Sequence, residues 1–242
     1  MSVEKSGVVI ETEGLSVGYG GRAVLSGLDI TVRAGQVVSL IGRNGVGKTT
    51  TLKTLAGVIP PVAGKASLWQ VPANGPLQAR AKKGMAYISE ERSIIRHLTV
   101  FDNLKLGGAK ASAVFELFPE LESRGKRMAG LLSGGEQQML ALGRCLATSA
   151  NMYLIDELSL GLAPSIVKRL LIQVRAAADA GAAVLLVEQK PTLALSISDE
   201  GYVLSQGVVS IHDDASNLLK RLPEIERSYL SLGELTDVDK QQ

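Results

Sequence analysis

An α/β fold with a mostly parallel sheet is predicted by three observations. Short apolar runs of strand length recur along the chain. They do not alternate with polar residues, which is the pattern of strands buried on both faces. Helix-patterned segments follow them, and strand–helix alternation builds a parallel sheet. The runs are Val37-Val38-Ser39-Leu40-Ile41, Met152-Tyr153-Leu154-Ile155 and Ala183-Val184-Leu185-Leu186-Val187. The helical segments are residues 48–56, 165–180 and 191–197.

The beginning reads differently. Residues 8–17 and 28–32 are strand-like, with a turn at Ala34-Gly35, and residues 62–68 and 85–88 add further β character. Together they predict an N-terminal antiparallel β layer flanking the parallel core. Residues 100–106, 113–117 and 134–146 have helical patterns, interrupted at Pro119 and at Ser123-Arg124-Gly125. This stretch, about residues 91–148, is expected to be a helical subdomain inserted into the core. With no long linker and no internal repeat, residues 7–232 should form one domain, followed by a polar C-terminal tail over 233–242.

The bulk composition fits a packed domain. Hydrophobic residues make up 45% and charged residues 21%, so wholesale disorder is not expected. A net charge of +2 and few aromatics give no reason to expect a nucleic-acid partner. The single cysteine, Cys145, excludes an internal disulfide and reads as a buried small residue on a helix. Residues 1–7 lack the apolar core of a secretion signal, and no run of about 18 apolar residues is present to span a membrane.

Chemistry enters at Gly42-Arg43-Asn44-Gly45-Val46-Gly47-Lys48-Thr49. A buried strand delivers the chain to Gly42 and a helix begins near Lys48, the context a true phosphate loop requires. Glycines let backbone N–H groups curl around an anion, and the helix N-terminus adds its dipole. Lys48 is expected to reach the β- and γ-phosphates of a nucleotide. Thr49 is expected to hold Mg²⁺, and Thr50 to donate to a phosphate. A P-loop nucleotide-hydrolase core is the consequence; a plain glycine-rich turn before a helix is the alternative.

A second element is Met152-Tyr153-Leu154-Ile155-Asp156-Glu157, an apolar strand ending in two carboxylates. Asp156 is placed to hold Mg²⁺, and Glu157 to accept a proton from attacking water or to orient it. The plain alternative is an acidic pair that begins a loop.

The third is Leu132-Ser133-Gly134-Gly135-Glu136-Gln137-Gln138. Ser133 is a good N-cap, and Glu136 three residues later completes a capping box. The run could therefore simply start a helix well. Free N–H groups and a serine hydroxyl at a helix N-terminus also form an anion site.

Beside a P-loop, this run resembles the signature of the ABC ATPases, the motors of ATP-driven transporters. The resemblance implies that Ser133, Gly134 and Gly135 bind the γ-phosphate held by a partner's P-loop, so that two chains sandwich ATP head to tail. It also implies that Tyr19 stacks on adenine. On its own, a tyrosine in Val17-Gly18-Tyr19-Gly20 would equally be surface packing.

In several details the chain resembles the branched-chain amino acid uptake ATPases, specifically the second of their paired subunits. Leu158-Ser159-Leu160-Gly161-Leu162-Ala163-Pro164, Val187-Glu188-Gln189, Phe115-Glu116-Leu117-Phe118-Pro119 and Ser228-Tyr229-Leu230 carry that likeness. It implies an importer ATPase at the cytoplasmic face of the inner membrane. The partners it implies are a second ABC ATPase subunit, two transmembrane permeases and, indirectly, an extracytoplasmic substrate-binding protein. Pairing would be a heterodimer, with a homodimer as the alternative. Urea or short amides are alternative cargoes, and a regulatory subunit with little turnover is an alternative role. Residues 93–106 would line the groove for a permease coupling helix.

The chain departs from the family pattern at four places. Glu90 stands where most members have a glutamine near Mg²⁺, and Arg92 is a candidate to offset its charge. Gln189 stands where most have a γ-phosphate-contacting histidine; the two histidines present, His97 and His212, read as surface residues. Leu158 replaces a proline usual in the branch, leaving the backbone after Glu157 freer. Lys190 replaces an asparagine.

Overall fold

The computed structural model describes residues 7–89, 94–148 and 150–230. The chain opens with β1 (Val8–Tyr19), β2 (Arg22–Leu28) and β3 (Thr31–Arg33). Gly20 and Gly21, both at positive φ, turn β1 into β2. β4 (Val37–Gly42) follows and a loop leads into α1 (Lys48–Ala56). β5 (Ala63–Leu68) returns to pair with β1, and the short β6 (Val71–Pro72) pairs with β5. β1, β2, β3, β5 and β6 form a five-stranded antiparallel sheet in the order β2-β1-β5-β6, with β3 also on β1.

After α2 (Leu77–Lys82) comes β7 (Met85–Ile88). α3 (Val100–Leu106), α4 (Ala111–Leu117), two 3₁₀ turns (Pro119–Arg124 and Ala129–Leu131) and α5 (Gly134–Leu146) separate β7 from its neighbour β8 (Met152–Asp156). The chain continues through α6 (Pro164–Asp179), β9 (Ala183–Glu188) and α7 (Pro191–Leu195). The described residues end in the hairpin of β10 (Glu200–Ser205) and β11 (Val208–Asp214), then α8 (Ala215–Lys220) and α9 (Leu222–Leu230).

The second sheet has six strands in the order β11-β10-β4-β9-β8-β7. All pairs are parallel except β10–β11. Alternate residues of its central strands enter two separate cores. Val37 and Ile41 of β4, Tyr153 and Ile155 of β8, and Val184 and Leu186 of β9 pack toward α5, α6 and α7. Val38 and Leu40, Met152 and Leu154, and Leu185 and Val187 pack toward α1 and the antiparallel sheet. A strand that feeds two cores must be apolar throughout, which explains the unalternating runs.

The structure corrects several expectations. Met85–Ile88 belongs to the parallel sheet as β7, not to the antiparallel layer. Four apolar residues do not announce their partner strand. Pro119 opens a 3₁₀ turn rather than only breaking a helix, since the first helical position needs no N–H. The 22–28 strand, the C-terminal hairpin and the last two helices were not expected. Leu158 is fully buried.

Candidate functional site

Gly42 of β4, Asp156 of β8 and Glu188 of β9 are strand-end residues, and ligands of open α/β sheets bind at the carboxyl ends of strands. The loop after β4 needs its glycines. Gly45 and Gly47 lie at φ 84° and 105°. At Gly47 a Cβ would come within 2.6 Å of Leu25 Cβ, so a side chain there is excluded twice over. α1 then begins with no side-chain cap and no acidic residue in its first turn. Its N-terminal dipole is thus left to whatever anion the loop encloses.

The loop borders a cavity of about 420 Å³. Asn44, Gly45, Gly47, Lys48, Thr49 and Thr50 line it from one side. Tyr19, 54% exposed, and Glu157 line it as well. Gly42 and Arg43 contribute backbone: Lys48 Nζ donates to Gly42 O at 2.8 Å and to Arg43 O at 3.1 Å. The Arg43 guanidinium turns away and donates to the carbonyl of Tyr229 in α9. Val46 packs its side chain against the core beneath the loop.

Behind the cavity, Thr49 Oγ1 donates to Asp156 Oδ1 at 3.1 Å, and Asp156 is wholly buried. Lys48 Nζ lies 3.7 Å from Glu157 Oε1. Burial pulls the Lys48 ammonium below its ordinary pKa, and the charges of Glu157, Asp156 and Glu188 oppose that shift. Glu157 occupies the left-handed region at φ 45°, unusual for a side-chain-bearing residue, and its N–H donates to Val187 O at 3.0 Å.

Other expected residues lie elsewhere. Gln189 is exposed just beyond β9 and Lys190 beside it is exposed too. Glu90 and Arg92 fall outside the described residues. Ser133 caps α5 through the full capping box: its hydroxyl accepts from Glu136 N, and Glu136 accepts from Ser133 N at 2.8 Å. Gly135 is buried so close to α6 that a Cβ would meet Ile166 Cδ1 at 2.5 Å. None of Ser133, Gly134 and Gly135 lines the chain's own cavity. His97 is exposed, and His212 stacks on Tyr202 and pairs with Glu200.

Two participants were missed. Val24 lines the cavity beside Tyr19. Glu188 is buried at the end of β9 and binds Ser159, two residues past Glu157. Its signal was available: a carboxylate closing an apolar run, the same signal that marked Asp156.

The profile of the ABC transporter family matches residues 25–159, more than half of the chain, including the P-loop, the signature run and the two carboxylates. The chain belongs to the ABC transporter family. This ABC ATPase binds and hydrolyses ATP, the activity of the cassette. It is 37% identical over 226 residues to the high-affinity branched-chain amino acid transport ATP-binding protein BraG of Pseudomonas aeruginosa, covering 89% of this chain and 97% of that one. It is 33% identical to a probable branched-chain amino acid transport ATP-binding protein LivF of Archaeoglobus fulgidus, over 88% of this chain and 94% of that one. The lipopolysaccharide export ATP-binding protein LptB of Escherichia coli K12 is 31% identical, over 91% and 96%. Among solved structures, an ATP-binding subunit of an ABC transporter matches with a TM-score of 0.78 at 27% identity, covering 93% of this chain and 99% of that one. An ABC cassette in its ADP conformation shares the fold, with a TM-score of 0.81 at 23% identity over 93% and 99%. No helix among the described residues of this ABC ATPase is long and apolar enough to cross a membrane.

Proposed function

We propose that this ABC ATPase drives uptake of branched-chain amino acids through partner permeases. The likeness to the Pseudomonas protein, spanning nearly the full length of both chains, carries the cargo assignment. Deleting the gene should abolish uptake of labelled leucine, isoleucine and valine, and restoring it should recover uptake. Undiminished leucine uptake with loss of urea or amide uptake would move the cargo to those alternatives.

At the site, the N–H groups of residues 42–50 would cradle the phosphates, with Tyr19 against the adenine. Lys48 would exchange its two loop carbonyls for β- and γ-phosphate oxygens. The donor set fits Mg²⁺: a threonine hydroxyl beside a buried carboxylate, hard oxygen ligands next to a phosphate loop. Thr49 and Asp156 would hold the ion, which supplies charge neutralisation on the phosphate oxygens. Glu157, beside Lys48 at the cavity wall, would orient the attacking water and take its proton. Gln189 would donate a neutral hydrogen bond to the γ-phosphate.

Because Ser133, Gly134 and Gly135 do not line the chain's own cavity, they would complete the site of a second ATPase subunit. The pair would dock on two permeases at the cytoplasmic face of the membrane, with a substrate-binding protein on the far side. Residues 7–232 would act as one ABC domain, with the 91–148 segment as its helical part and 233–242 as a polar tail.

A further inference from the structure

Glu188, the last residue of β9, is a buried carboxylate for which the roles above have no use; it is 1% exposed. One residue engages both of its oxygens. Ser159 N donates to Oε1 at 2.9 Å and Ser159 Oγ donates to Oε2 at 2.8 Å. Ser159 follows Glu157 by two positions, and Leu158 between them is fully buried. Glu157 itself holds a left-handed backbone at φ 45°, a conformation that persists only where the surroundings enforce it. Its N–H donates to Val187, the neighbour of Glu188. Three hydrogen bonds therefore tie the turn at 157–159 to the last two residues of β9.

We propose that Glu188 is a positioning residue for ATP hydrolysis: by holding both donors of Ser159 it fixes the turn that aims the Glu157 carboxylate. The inference rests on the reading of Glu157 as the group that orients water. Burying a carboxylate is unfavourable unless it is hydrogen-bonded, and the two Ser159 donors meet that need. Burial nonetheless raises the Glu188 pKa; the Ser159 bonds oppose the rise, the nearby Glu157 charge adds to it, and a backbone hydrogen bond from Gln189 opposes it further.

Glutamine can preserve the clamp. Its Oε1 accepts from Ser159 N, and its amide donates to a serine hydroxyl that reverses its role. Alanine cannot. Turnover is measured on the full chain, with whatever ATPase partner raises its activity, at a concentration where activity per chain is saturated. The set is Glu188→Ala, Ser159→Ala, the double variant and Glu188→Gln, with Glu157→Gln alongside. Glu188→Ala should lower kcat about 10–100-fold, as misplacement of a reacting group does. KM for ATP should stay within about threefold, marking a loss confined to the transition state. The double variant should be no slower than the slower single, because both changes remove one interaction. Glu188→Gln should recover most of kcat.

Multiplied losses in the double variant, raised KM with unchanged kcat, or a glutamine variant as slow as alanine would overturn the proposal. Should Glu188→Ala not fold, Ser159→Ala decides: a kcat equal to the parent's rejects the clamp. Undiminished turnover in Glu157→Gln would instead remove the reading of Glu157, and this proposal with it.

Discussion

Lys48 Nζ stands 3.7 Å from Glu157 Oε1 while donating to the carbonyls of Gly42 and Arg43. The cation assigned to the phosphates and the carboxylate assigned to the water thus share one buried contact. A nucleotide entering the cavity brings oxygens that compete with the loop carbonyls for the same ammonium. Charge-assisted hydrogen bonds contribute about 1.5–3 kcal/mol, roughly 10–100-fold in affinity. Lys48→Met is expected to weaken ATP binding by that factor in calorimetric titration. Parental affinity would remove Lys48 from the phosphate site.

Glu157→Gln keeps the shape of the side chain and removes its basicity. Turnover is expected to fall about 10²–10⁴-fold, the range for acid–base groups. ATP-driven pairing should persist, because the phosphate contacts are untouched. Light scattering with and without ATP, beside a steady-state assay, reads both. A variant that hydrolyses at the parental rate would leave Glu157 with only its contact to Lys48.

How much of this was legible depended on whether the signal was local. The P-loop is eight consecutive residues whose glycines and lysine each answer to the same anion, so it could be read whole. The strands at 37–41, 152–155 and 183–187 were legible because burial on both faces leaves an unbroken apolar run. β2 lacks that signal: only Leu25 and Leu28 of its seven residues are buried. β11 alternates exposed with half-buried positions and buries none, and α8 and α9 are short. The Glu188–Ser159 pair joins residues 29 apart through the register of β8 and β9, which no local pattern states.

If Gln189 meets the γ-phosphate as proposed, this ATP site has a neutral donor there and no titrating side chain. Histidine there would carry a pKa near 6.5 in the absence of other influences. Gln189→His is expected to raise turnover at the site built on this P-loop. It should also add an apparent pKa of about 6–7 to the kcat–pH profile. Unchanged turnover of the assembled complex would end the idea that the glutamine slows this site.

Cys145, expected to be buried, is half-buried on α5, and its packing against the helical core pushes the thiol up to about 11. Only the thiolate is nucleophilic, so roughly one thiol in a thousand is reactive at pH 8. Alkylation by iodoacetamide should be slow in the folded chain and complete on unfolding in guanidinium. Prompt labelling of the native protein would mean that the thiol is reached and ionised, against its place beside the helical core.

The separation of Ser133 from the cavity that Lys48 lines gives the last expectation. Ser133 caps α5 away from the chain's own cavity, whereas Lys48 lines it. Ser133→Ala removes a cap contributing about 1 kcal/mol, a modest loss visible in melting curves. If the serine also serves a partner's ATP, this variant should leave the chain's own ATP affinity in dilute, unpaired solution unchanged. It should nevertheless depress turnover once a second ATPase subunit is added. Lys48→Met should do the reverse in the unpaired chain, losing affinity before any partner is present. Equal losses of unpaired ATP affinity in both variants would contradict a site divided between two chains, because only a residue of the same cavity can weaken binding there without a partner.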